Sequence, residues 1–288
     1  MALLISNAIL HTIGNNNTLT HYSDVELEVD SETCTEFVGK HVRRLLRNPS
    51  AKQATFAADS PVYALVKSFH KDEIHFKDLS RRLCERLAEI MEGNDDISPA
   101  DVLVALFDNG KDSYLAIVKL NYGECFTHRL ITDDDGQTEN RVVKNTMVLP
   151  QGGGKVEEAC LIPYDPMVLR ILEKSHTVGG EEICYFSKQF LECETELSQK
   201  ETAEVIQEIA DEINVKYFDG NVEMAARLKT ALIVEAEELR EEDGLILENV
   251  VELRFPSELV DDPTQLQMVI NQDGSTTITL KNLRPAEL

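Results

Sequence analysis

The 288-residue chain has no apolar run long enough to cross a membrane as a helix. Its opening "MALLISNAILHTIG" is apolar, but lacks a basic leader and a small-residue cleavage site. That stretch reads as a structural strand, not a signal peptide. The six cysteines, at 34, 84, 125, 160, 184 and 193, show no C-x-x-C and no pairing rhythm. Disulfide and metal frameworks want tighter spacing, so six free thiols in a cytoplasmic protein are expected. Cations are scarce: 28 Lys+Arg face 52 Asp+Glu, a net charge of −24. Bulk attraction to nucleic acid is excluded, although a local basic patch is not. The imbalance is uneven, with −7 in residues 1–150 and −17 in residues 151–288.

Catalytic signatures are missing too. In "QGGGKV" (151–156), Leu149 stands where a phosphate loop needs its first Gly, and Val156 replaces the hydroxyl residue that would hold magnesium. A strand connection explains it better. In "TDDDGQ" (132–137), aligning Gly136 with the glycine of a calcium loop puts Ile131 and Val142 at ligand positions. A hairpin turn accounts for those acids. The seven histidines have no metal-site spacing, and no G-x-S-x-G elbow occurs. No enzymatic activity, metal or cofactor is expected.

What is present is patterned. "ALLISNAILHTI" and "YSDVELEVD" read as strands, and "SETCTEFVGKHVRRLLRN" reads as a helix capped by Ser31. "IHFKDLSRRLCERLAEIMEG" is a second helix. The period then changes to two. "DVLVALF" and "SYLAIVKL" flank Asn109-Gly110, a type I′ hairpin signal, and turn-separated strands continue to Pro163 as a meander of about five. Beyond it "DPMVLRILEK" and the region of "ICYFSKQFLECE" read as short helices. Ser198-x-x-Glu201 is a capping box that launches a helix with Val205, Ile206, Ile209, Ala210 and Ile213 on one stripe. Asn221 caps another, with Leu228, Ala231, Leu232, Ala236 and Leu239 inward, and "LILENVVELRF" carries a further helical turn or two. A hairpin through Asp273-Gly274 ends the chain. The fold class is α+β: an N-terminal antiparallel sheet with flanking helices, then a helical region and a C-terminal β-hairpin. The domains are expected at 1–165 and 166–288. Phe186 and Phe190, four apart, are expected to bury a hinge between them.

One stripe stands out in this acidic chain. Lys40, Arg43, Arg44 and Arg47 recur at i, i+3, i+4 and i+7, which places four cations on one helix face. Val38, His41, Val42, Leu45 and Leu46 fall opposite, Lys52 follows, and no acid lies between residues 40 and 52. Cations in the last turns complement the helix dipole, and that alone accounts for much of the pattern. The functional alternative is a strip that contacts nucleic-acid phosphates.

Five segments, taken in order, resemble the YejK (NdpA) family of bacterial nucleoid-associated proteins. They are "ISNAILHTIG", "ADVLVALFDNGKDSYLAIVKL", "MVLPQGGGKVEEACLI", "YFSKQFLECETELSQKET" and the terminal "TTITLKNL". Between about 240 and 265 the chain looks shortened against the family pattern. The resemblance implies a non-enzymatic, DNA-associated protein of the cytoplasm and nucleoid, with an N-terminal α/β domain and a helical C-terminal region. Double-stranded DNA is the expected partner, held by sequence-independent backbone contacts at Lys40, Arg43, Arg44, Arg47 and Lys52. DNA-processing proteins and further copies of the chain are the other partners considered; a membrane is not. The alternative is an acidic adaptor that binds such proteins, in competition with DNA.

Overall fold

A computed structural model describes residues 3–14, 19–92, 94, 96–132, 136–150, 156–164, 168–178, 180–213, 222–241, 266–270 and 276–280. In chain order the first part comprises β1 (Leu4–Ile13), α1 (Glu32–Leu46), β2 (Lys52–Phe56), α2 (Pro61–His70), α3 (Phe76–Met91), β3 (Ala100–Asp108), β4 (Ser113–Asn121), β5 (Gly123–Thr132) and β6 (Thr138–Val148). It continues with β7 (Glu158–Pro163), β8 (Val168–Leu172), β9 (His176–Val178), β10 (Glu181–Ile183), a π-helical turn (Phe186–Leu191) and β11 (Cys193–Thr195). Then come α4 (Gln199–Glu212), α5 (Val222–Glu241), β12 (Leu266–Ile270) and β13 (Thr276–Leu280). The chain divides into two compact units, Met1–Glu196 and Leu197–Leu288.

Seven strands of the first unit form one sheet in the order β1-β3-β4-β7-β8-β2-β11, antiparallel throughout. Side chains alternate across it, and both faces are apolar. Val102, Val104, Leu115, Ile117, Cys160 and Ile162 join α2, α3 and the π-turn in one core. Leu103, Ala105, Phe107, Ala116, Val118 and Leu161 join Val38, Val42, Leu45 and Leu46 of α1 in the other. This three-layer arrangement explains the near-continuous apolar runs of β3 and β4, which have no polar side to spare.

The α+β class holds, but several local expectations do not. "DPMVLRILEK" was expected to be a helix, yet Val168–Leu172 is strand β8, held between β7 and β2. The helical spacing of its apolar residues yields to two ladders of hydrogen bonds. The 165/166 boundary expected between domains thus falls between two paired strands. "YSDVELEVD" forms no strand; one backbone bond, Leu27 N–H to the Ala8 carbonyl at 2.8 Å, and side-chain bonds at Ser23 and Glu26 tie it to β1, and Leu27 and Val29 pack on the core beside α1. The five-strand meander is interrupted, because β4 pairs with β7 and β5–β6 branch off as a separate two-stranded ribbon. The hairpin at Asn109-Gly110 forms, but through a four-residue loop. Only Gly110 has positive φ there, 87°, while Asn109 Oδ1 accepts the N–H groups of Lys111 and Asp112 at 2.9 Å each. A type I′ turn needs two such residues. Phe186 and Phe190 lie in the core of the first unit, with ring centroids 5.0 Å apart. Arg86 fastens their π-turn, donating to the carbonyls of Phe190 at 2.9 Å and Gln189 at 2.6 Å, and pairing with Glu192.

Four elements have no counterpart in the sequence reading: β2, α2 and the short strands β9 and β10. Of these, α2 carried a clear signal: Ser60 Oγ accepts the Tyr63 N–H at 3.1 Å, and Pro61 opens the helix. At the rim of the sheet lies a buried polar network. Lys119 Nζ is 3.2 Å from Glu158 Oε2, both side chains are fully buried, and His176 pairs with the other oxygen of Glu158. Burial pulls the Lys119 pKa below its ordinary value, against the opposing pull of Glu158.

In the second unit the capping box forms as expected. The Ser198 N–H donates to Glu201 Oε2 at 2.8 Å, and the Glu201 N–H donates to Ser198 Oγ at 3.1 Å. Ala203, Ile206 and Ala210 of α4 pack on Leu228, Leu232, Ala236 and Leu239 of α5. Val205 and Ile209, expected on the same stripe, are exposed. β12 and β13 pair antiparallel. The expected Asn221 cap, the turn at Asp273-Gly274 and the helical turns of "LILENVVELRF" lie outside the described residues. All six cysteines are free thiols.

Candidate nucleic-acid interface

The basic strip depends on α1 being held by its other face. Val38, Val42, Leu45 and Leu46 are buried against β3, β4 and β7. Gly39 and His41 are buried with them. The 100° step of an α-helix therefore turns Lys40, Arg43, Arg44 and Arg47 outward, and all four are exposed. They span seven residues, about 10 Å of helix axis. The helix end is fixed from below. Arg170, buried on β8, donates to the carbonyls of Leu46 at 3.2 Å and Asn48 at 3.3 Å.

The cations differ in their surroundings. Lys40 pairs with Glu36 one turn earlier on the same exposed face, which draws the Glu36 pKa below its ordinary value. The Arg43 guanidinium folds back over Gly39, where an added Cβ would come within 3.1 Å of Nη1. Lys52 does not extend the strip. It sits on β2, and its ammonium lies 3.6 Å from the buried carboxylate of Glu173. Beneath the strip, burial depresses the pKa of His41. The Pro150 carbonyl opposes that shift and the Arg44 charge adds to it. A neutral imidazole there keeps charge out of the packed face of α1.

Other candidate surfaces are less basic. A cavity of about 320 Å³ at one end of the sheet is lined by Phe69, His70, Phe107, Tyr114 and Tyr164, with His70 stacked on Tyr164 at 4.5 Å. Among the described residues its only charged lining residue is Asp108. Among the described residues no group of three or more His, Cys, Asp or Glu is placed to hold a metal ion. The β5–β6 ribbon carries Arg129, Arg141 and Lys144, which the sequence reading passed over. Two of them are answered on the ribbon itself, Arg141 by Glu139 and Lys144 by Glu124. The signal was available: "ECFTHRLIT" and "NRVVKNTMV" mix apolar and polar residues on both faces, which no buried strand does.

A protein-family model described as nucleoid-associated protein YejK matches residues 9–258. The chain belongs to that family. No individual curated protein matches it. The match takes in the whole sheet from Ile9 onward, α1 with its basic face, the π-turn and the two helices of the second unit. No described helix of this YejK-family protein is long and apolar enough to cross a membrane.

Proposed function

We propose that this YejK-family protein binds double-stranded DNA without enzymatic turnover, in the cytoplasm at the nucleoid, through the exposed face of α1. The observation that carries the reading is the outward row of Lys40, Arg43, Arg44 and Arg47 on a helix clamped to a buried sheet. Guanidinium and ammonium groups on a rigid support suit phosphate oxygens, and such contacts position a protein without reading sequence. Lys52 contributes less, since Glu173 competes for it. The net charge of −24 opposes approach to DNA, so binding is weak and falls steeply with salt.

Fluorescence anisotropy of a labelled duplex over a salt series tests this. Four phosphates neutralised give a slope of roughly −3.6 in log K against log salt. Replacing Arg43, Arg44 and Arg47 together with Gln flattens it by about three units. Binding that survives the triple replacement with an unchanged slope removes α1 from the interface. Absence of duplex binding, with capture of DNA-processing proteins instead, supports the adaptor reading.

A further inference from the structure

The β5–β6 ribbon is an unusual object. Its strands of ten and eleven residues run about 33–36 Å at about 3.3 Å per residue. Among the described residues they pair only with each other, and nearly every residue of theirs is exposed. A lone two-stranded ribbon is marginal in water, because nothing covers its side chains. Yet one face of this ribbon gathers three large apolar side chains among its polar ones. Residues opposite each other in an antiparallel pair share a face, so Phe126/Lys144, His128/Val142 and Leu130/Asn140 form three consecutive rows on one side. Phe126, Leu130 and Val142 are 76%, 68% and 70% exposed. Large side chains this exposed, side by side, mark a surface made to be covered.

We infer that this face is the contact surface of a homodimer, and that its occupant is the same ribbon of a second copy. The row order is self-complementary. A two-fold axis through the His128/Val142 row sets Phe126 of one copy on Leu130 of the other, and Leu130 on Phe126. Val142 meets its own equivalent at the centre. Lys144 comes to lie by Asn140, so no like charges face each other. The opposite face does not work in this way, since Arg129 and Arg141 lie directly across from one another there.

Charge also selects the partner. The described strands of the ribbon hold Arg129, Arg141 and Lys144 against Glu124 and Glu139, close to neutral in a chain of net −24. Here two copies meet with little repulsion. DNA is the poorer occupant, since two of the three cations are engaged by acids of the ribbon and the exposed apolar groups sit in mid-strand. The inference stands apart from DNA binding by α1.

Sedimentation of the full chain over a concentration series tests it, with the Phe126→Glu/Val142→Glu double variant beside the wild type. The wild type sediments as a dimer. The double variant dissociates at concentrations at least about 100-fold higher, as expected when central apolar contacts are replaced by charge. Its circular dichroism and melting of the sheet stay unchanged. A second measurement fixes the register. In a Cys125→Ser background, Val142→Cys crosslinks two copies under mild oxidation, and Arg141→Cys on the opposite face does not. A wild type that stays monomeric, a double variant that dimerises as tightly, or equal crosslinking from both faces overturns the inference. So does a double variant that loses duplex binding while the wild type is monomeric, because DNA is then the occupant.

Discussion

β4 and β5 are consecutive strands of similar length, separated by one residue, and they share no environment. Seven of nine residues in β4 are buried, whereas nine of ten in β5 are exposed. Both have an antiparallel partner along nearly their whole length, that of β5 with one bulge between Gly123 and Cys125. Hydrogen bonding separates them only in part: β4 carries a ladder on each edge, to β3 and to β7, and β5 carries one, so pairing alone does not set the difference. Cover does: β4 lies between α1 on one side and α2, α3 and the π-turn on the other, while β5 has neither. The sheet is held by apolar burial, at roughly 25 cal/mol per Å² removed from water. The ribbon must draw its order from elsewhere.

Hydrogen exchange tests that contrast most severely. In dilute protein, amides of β3 and β4 exchange only through global unfolding, and those of β5 and β6 through local fraying. Protection differs by at least about 10³-fold, given a global stability of ordinary size. Equal protection at all concentrations breaks the comparison, whereas protection of the ribbon that grows with concentration sharpens it. Matched aromatic truncations come next. Phe190→Ala in the core lowers stability by about 3–5 kcal/mol. Phe126→Ala on the ribbon, measured at monomer concentrations by urea denaturation, costs no more than about 0.5 kcal/mol.

A third test uses acid, through a buried histidine of the sheet. The His11 side chain is fully buried on β1. Its Nδ1 accepts the Ser23 N–H at 3.0 Å, so Nε2 holds the proton and donates to Ser80 Oγ at 3.1 Å. The bond from Ser23 requires the neutral ring, since protonation turns Nδ1 from an acceptor into a donor. Burial, chiefly, with the Arg81 and His21 charges adding, brings its pKa down to about 4. The unfolded chain binds this proton near pH 6.5, the folded chain only near pH 4. Stability is thus fully present above pH 6.5 and falls as the pH drops through that window. Between pH 7.5 and pH 5 the loss is about 2 kcal/mol. His11→Asn, which keeps an acceptor near the Nδ1 position, should remove that part of the pH dependence in urea titrations. A slope that persists assigns it to other groups. A smaller effect than that of acid is expected in the second unit. Ser198→Ala removes one side of the capping box and costs about 1 kcal/mol, read as lost helicity on melting.

How much of this was legible beforehand depended on range. Features set by neighbours in sequence were readable: the capping box at Ser198, α1 with its two faces, and the hairpin of β3 and β4. Features set by distant partners were not. Val168–Leu172 has helical spacing, but β7 and β2 claim it as a strand, and no local signal shows that. The π-turn was taken for a helix between domains because its clamp, Arg86, lies about a hundred residues away. The candidate strip divides in the same way. Periodicity alone placed Lys40, Arg43, Arg44 and Arg47 on one face. Lys52 follows them in sequence, and its pairing with Glu173, just past the end of the neighbouring strand β8, has no local signal.

The position of β2 sets a timetable for synthesis. This strand leaves the ribosome early, yet its neighbours in the sheet are β8 and β11. The first of them is translated about 110 residues later, on the order of 10 s at roughly 5–20 residues per second. Until then both edges of β2 are bare, and "KQATF" offers unpaired amides and carbonyls to any passing strand. Such a nascent chain invites the attention of holding chaperones. Truncation before residue 168 should leave it permanently at that stage, so fragments that end there are expected to aggregate rather than fold.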